Sequence, residues 1–131
     1  MIRRVLLETR QDFTFEAVLS TERNLLLLEE AKKNGYQICA VFVLTKDSAI
    51  NVHRVRNRVK MGGHDVPEDK IISRYEKSLQ NLSKLVRIAD RTRIVDNSTD
   101  VPSVICEVAE GRARIWESEL WSTAEILGIL A

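Results

Sequence analysis

Apolar positions fall into blocks with different periods along the chain. A short apolar stretch over residues 2–9 predicts a short helical turn or the end of a leading helix. Over 13–19, Phe13, Phe15 and Ala17 alternate with Thr14, Glu16 and Val18, which predicts a strand. Ser20-Thr21 offers an N-cap, and residues 22–34 read as a helix stopped by Asn34-Gly35. Residues 36–44 are apolar at almost every position, the pattern of a strand buried on both faces in a parallel sheet. Asp47 or Ser48 can cap a second helix that runs to about Met61 and breaks at Gly62-Gly63.

A long helix follows. Pro67 opens it, Glu68 and Asp69 complement its dipole, and Ile72, Tyr75, Leu79, Leu82, Val86 and Ala89 form its apolar face. A short strand over 93–95 closes on Asp96-Asn97-Ser98. Residues 103–109 and 112–116 read as a hairpin turning at Glu110-Gly111, and 120–130 as a terminal helix. Strands alternating with helices imply an α/β domain with parallel pairing at its centre. No linker or repeat divides the chain, so residues 1–131 read as a single domain.

Composition adds little to this picture. Charged residues make up 30% of the chain and the net charge is only +1, so overall charge points to neither nucleic acid nor membrane. The longest apolar runs fall far short of a membrane span, and the basic start is too short for a signal peptide. These features predict a cytoplasmic protein. Cys39 and Cys106 each sit in an apolar run and read as reduced core thiols, with no metal-ligand spacing around them.

The placement of the charges is more informative. On the second predicted helix, Val55 and Val59 mark a buried stripe, while Arg54 and Arg58 share a face four residues apart. That face is either simply solvated or grips an anion between two guanidinium groups. Gly62-Gly63-His64-Asp65-Val66-Pro67 then links it to the helix that carries Arg74. The link is either a plain helical turn or the hinge of a lid that brings Arg54, Arg58 and Arg74 onto one polyphosphate. His64 alone is more simply a structural hydrogen-bonder. Glu16 is either a ligand contact near a strand end or a solvent-facing edge residue. Asp96-Asn97-Ser98, with Asn97 the candidate contact, either meets a ligand or simply makes a turn. Trp116 and Trp121 read as core or interface packing.

These motifs occur in a familiar order. Phe15-Glu16, Ala31-Lys32-Lys33-Asn34-Gly35-Tyr36, Asn51-Val52 with Arg54-Val55 and Arg58-Val59, GGHDVP at 62–67, Lys70-Ile71 with Arg74-Tyr75, and Asp96-Asn97-Ser98 together resemble the zeta-toxin-like family of P-loop kinases. The resemblance runs from about residue 12 to about residue 121. It implies a three-layer domain, with a mainly parallel sheet, helices on both sides, a helical lid and the C-terminal hairpin. It also implies ATP with Mg2+ as phosphoryl donor, and a small hydroxyl acceptor that in characterised zeta toxins is a UDP-linked amino sugar. By the same resemblance Arg58 and Arg74 would be lid arginines near the ATP phosphates, and Glu16 would lie beside the acceptor site.

Two departures qualify this. Ala17 stands where the family commonly has Thr. More importantly, the family's Gly-rich phosphate loop, G-x-x-x-x-G-K-[ST], does not occur: Gly35, Gly62, Gly63, Gly111 and Gly128 open no such motif. The sequence therefore predicts an incomplete domain, inactive by itself. The alternatives are a kinase whose loop is encoded upstream, and a non-catalytic binding or regulatory module. Strands left without the family's central neighbour predict a homodimer or higher oligomer.

Overall fold

The computed structural model describes Leu19 and residues 21–131. The predicted leading turn, the 13–19 strand except Leu19, and Glu16 lie outside the described residues. The described elements are α1 (Arg23–Lys33), β1 (Cys39–Leu44), α2 (Ser48–Lys60), α3 (Glu68–Ile88), β2 (Arg91–Asp96), β3 (Ser103–Ala109), β4 (Arg112–Ile115) and α4 (Thr123–Leu130).

The four strands form one sheet in the order β1-β2-β3-β4. β1 and β2 are parallel, joined through the α2–α3 pair, and the two remaining pairings are antiparallel. The result is an α/β fold with a mixed sheet, where the sequence predicted a mainly parallel one. The predicted hairpin supplies one of the antiparallel pairs. Its turn uses Glu110 (φ 54°) and Gly111 (φ 74°), the left-handed pair that lets two twisted strands meet over two residues.

One face of the sheet carries the core. Phe42, Leu44, Ile94 and Cys106 point to the same side and pack with Leu25 of α1, Leu82 and Leu85 of α3, and Ile126 of α4. Helix α3 dominates because it crosses this side for 21 residues, with Ile71, Leu82 and Leu85 buried. The buried stripe is thus rotated slightly from the predicted one, taking in Ile71 and Leu85 and leaving Ile72 and Val86 half-buried. Asn81 is also buried, and its amide donates to the Leu19 carbonyl at 2.5 Å.

The opposite face corrects two predictions. Val41 is 66% exposed and Val43 58%, so β1 is not buried on both faces among the described residues. Among the described residues no helix covers these positions. Cys39 lies on this same face and is exposed, so only Cys106 is a core thiol. Burial and the nearby Glu107 carboxylate push the Cys106 thiol above its ordinary range.

The starts of β1 and β2 are clamped together. The Asp90 carboxylate accepts from the Ile38 N–H at 2.7 Å, and Lys32 of α1 donates to the Ile88 carbonyl at 2.8 Å. This end of the sheet is bolted to two helix termini. Past the other end, the loops after β1 and β2 contribute Thr45 and Asn97 to a groove that runs along β1.

Candidate functional site

A groove of about 1090 Å³ runs along the length of β1, from Tyr36 before it to Thr45 after it. Among the described residues, its walls include Arg54 and Arg58 of α2, Arg74 and Tyr75 of α3, and Asn97 just past β2. Local sequence explains this placement. Asp47 caps α2, its carboxylate accepting from the Ala49 N–H at 2.9 Å, and so starts the helix immediately after β1. A rise of about 1.5 Å per residue then carries Arg54 and Arg58 away from the strand end along one helix face.

The link between α2 and α3 depends on both of its glycines. Gly62 adopts φ +93°, where a side chain is strained. At Gly63 a Cβ would meet the Arg58 carbonyl oxygen at 2.9 Å, and the Gly63 N–H donates to that oxygen at 2.7 Å. The chain therefore reverses tightly against the last turn of α2. An exposed ion pair, Arg56 to Glu68 at 3.2 Å, bridges the two helices beside the link.

The strand-end loops form a connected hydrogen-bond network. The Tyr75 hydroxyl donates to the Thr45 carbonyl at 2.7 Å, and the Thr45 hydroxyl donates to the Asn51 side-chain oxygen at 2.5 Å. Burial, with the nearby charges of Asp47 and Asp96, pushes the Tyr75 hydroxyl above its ordinary range and keeps it a donor. The Lys46 N–H donates to the Ser98 hydroxyl at 2.8 Å, and Asn97 N–H to the Leu44 carbonyl at 2.8 Å. Beneath them the buried Asp96 carboxylate accepts from Ser98 Oγ at 2.6 Å and from Trp121 Nε1 at 3.1 Å. Lys46 also lies 4.2 Å from the centre of the Trp121 ring and pairs with Glu125.

The predicted site residues fare differently. Arg54 is half-buried, and its Nη2 donates to the Asn97 carbonyl at 2.5 Å, so part of its guanidinium is occupied in holding α2 to the end of β2. Arg58 and Arg74 are exposed, line the same groove, and form no ion pair with another described residue. His64 sits exposed in the link and is not among the groove-lining residues. Val59, read as part of a buried stripe, is exposed; Val52 is the buried residue of α2. Trp121 is buried in the core, whereas Trp116 is exposed.

Sequence reasoning passed over Thr45, and took Asp96 only as part of a strand-ending triplet that contacts a ligand or makes a turn. The signal for Thr45 is positional, since it is the first polar residue after the apolar run of β1. Asp96 carried a hint in its alternation with Thr92 and Ile94, which puts it on the core side.

A sequence profile of the family described as Zeta toxin matches residues 1–119. The chain belongs to the zeta toxin family. An uncharacterized protein of Haemophilus influenzae strain Rd is similar to it, with 33% identity over 63 residues. That alignment covers 48% of this chain and 45% of the relative, so the chain matches under half of that protein's length. No solved structure matches the chain significantly. Within the zeta toxin family assignment, the match ends before α4, although Trp121 and Ile126 of that region are buried in the core.

Proposed function

We propose that this zeta-toxin-family chain is the lid-bearing core of an ATP-dependent small-molecule kinase, incomplete by itself. The observation that carries the reading is the joint placement of Arg58 and Arg74. They come from two helices joined by a glycine link, and both line the groove that runs along a parallel strand and takes in the loop at its carboxyl end. Loops at the carboxyl ends of parallel strands are where α/β folds bind ligands. Guanidinium groups there fit the equatorial oxygens of a transferring phosphoryl group, whose chemistry depends mostly on positioning and charge stabilisation.

The fit to ATP and Mg2+ is partial. Arginines suit the phosphates, but the sequence has no phosphate-loop lysine or following Ser/Thr to neutralise them and hold the metal. Among the described residues no group of three acidic, His or Cys side chains gathers as a metal site. When bound, MgATP would supply the phosphoryl group. This chain's own part would be to grip the phosphates with Arg58 and Arg74, with Arg54 bracing the groove wall through Asn97. Glu16, which by family resemblance lies beside the acceptor, and His64 in the link complete the proposed set. The acceptor class that the resemblance implies is a UDP-linked amino sugar.

Titration calorimetry with MgATP tests the reading. Weak binding in the millimolar range is expected, about −4 kcal/mol in free energy. R58Q/R74Q should abolish it. Wild-type chain that binds no ATP at millimolar concentration removes the proposal.

A second reading is a non-catalytic oligomeric module. It is favoured by one observation: β1 has no strand on its outer edge among the described residues. An open edge invites pairing with another chain. Light scattering that gives a monodisperse monomer would sink it.

A further inference from the structure

The strand registers define a second surface, on the side of the sheet away from the core. Residues directly opposite in neighbouring strands share a face. One row across it is Val41, Arg93, Glu107, Arg114. On one side of that row lies Cys39, Arg91, Ala109, Arg112, and on the other Val43, Val95, Val104. Val41, Val43, Val104 and all four arginines are exposed. The surface is thus a block of valines beside four guanidinium groups. Glu107 is the single carboxylate among them, 3.7 Å from Arg91 and 3.3 Å from Arg93.

We propose that this face docks an acidic amphipathic helix from a partner polypeptide. A parallel strand pair is ordinarily covered on both faces, and the layer that covers it is helical. Here one face of β1 and β2 has such a layer and the other does not, among the described residues. A helix laid across the open face would set an apolar stripe, at three- and four-residue spacing, on Val41, Val43 and Val104. Its flanks would meet Arg91, Arg93, Arg112 and Arg114, of which Glu107 neutralises only one equivalent, so those flanks must be acidic.

Charge decides among the occupants. A second copy presenting the same face would oppose guanidinium to guanidinium. Single-stranded nucleic acid uses aromatic side chains as stacking platforms, and the three rows hold none. Trp116, just past β4, lies instead near Arg114, whose guanidinium is 5.9 Å from its ring centre. Cys39, Val41 and Val43 also line the groove, so the two surfaces meet along β1, but Arg91, Arg93, Arg112 and Arg114 lie outside it, and the inference does not rest on the kinase reading.

Fluorescence anisotropy with two designed helical peptides tests it. Both carry the same leucine stripe; one has glutamate flanks and the other lysine flanks. The acidic peptide should bind at least about tenfold more tightly than the basic one, by electrostatic complementarity. V41S/V43S and, separately, R112Q/R114Q should each weaken it by about tenfold, as loss of central contacts does. These positions are exposed, so circular dichroism should stay unchanged. R58Q/R74Q should leave the binding intact. Equal binding of the two peptides, or none, overturns the proposal. So does a single-stranded RNA that displaces the acidic peptide and binds V41S/V43S as well as wild type, since the surface would then be a nucleic-acid site.

Discussion

Two rows of side chains cross the sheet one residue apart along each strand, and their chemistry differs almost completely. Phe42, Ile94, Cys106 and Ile115 form one row; Val41, Arg93, Glu107 and Arg114 form the other. The first is closed over by α1, α3 and α4, the second faces outward. Because side chains alternate strictly along a strand, a slip of one residue would exchange the rows and bury the charges. The contrast is what pins the register. It also means that stability and recognition can be altered separately.

Adjacent substitutions give the sharpest break. I94A should cost about 3 kcal/mol, because Ile94 is completely buried and its truncation leaves a cavity. R93A, next to it, should cost no more than about 0.5 kcal/mol, since its ion pair with Glu107 is largely solvated. Urea unfolding measures both, and equal losses would mean that the outward face is covered in solution. D96A comes next. It removes the acceptor for the buried Trp121 indole N–H, which should cost about 2 kcal/mol, while D96N keeps an acceptor and should lose less.

Asp90 probes the clamp at the strand starts rather than either face. Its backbone hydrogen bond from Ile38 and its contact with Lys32 lower its carboxyl below the ordinary value. A lowered folded-state value contributes stability that is present above the ordinary Asp range and is lost as pH falls below about 4. D90N should therefore flatten acid unfolding in that window and cost under about 1 kcal/mol at neutral pH, the exposed position limiting the effect. The smallest effect belongs to Thr92, whose buried hydroxyl has no hydrogen-bond partner among the described residues. T92V should leave stability unchanged or raise it by about 0.5 kcal/mol. A clear loss in thermal melts would show that the hydroxyl is satisfied in solution.

Much of the fold was legible because it follows from local rules. The glycine link, the Asp47 cap, the Pro67 start of α3 and the Glu110-Gly111 turn each rest on a few neighbouring residues. The two-faced character of β1 was not legible. An unbroken apolar run carries no alternation, so only the pairing with β2, whose Arg91 and Arg93 lie opposite Cys39 and Val41, reveals which side is open. The groove was legible in part. Spacing put Arg54 and Arg58 on one helix face, and both do line the groove with Arg74. That Arg54 would be held by the Asn97 carbonyl depends on a contact 43 residues away in sequence, which no local pattern encodes.

The match to the family profile stops at residue 119, but the folding unit does not. Ser122 and Glu125 form a reciprocal capping box that starts α4 beside Trp121, and Ile126 is wholly enclosed. A chain cut where family similarity ends would therefore lose the plug that seats against Asp96, and the corner supporting the groove with it. What those residues bury, not how far ancestry can be traced, decides that they belong to the folding unit.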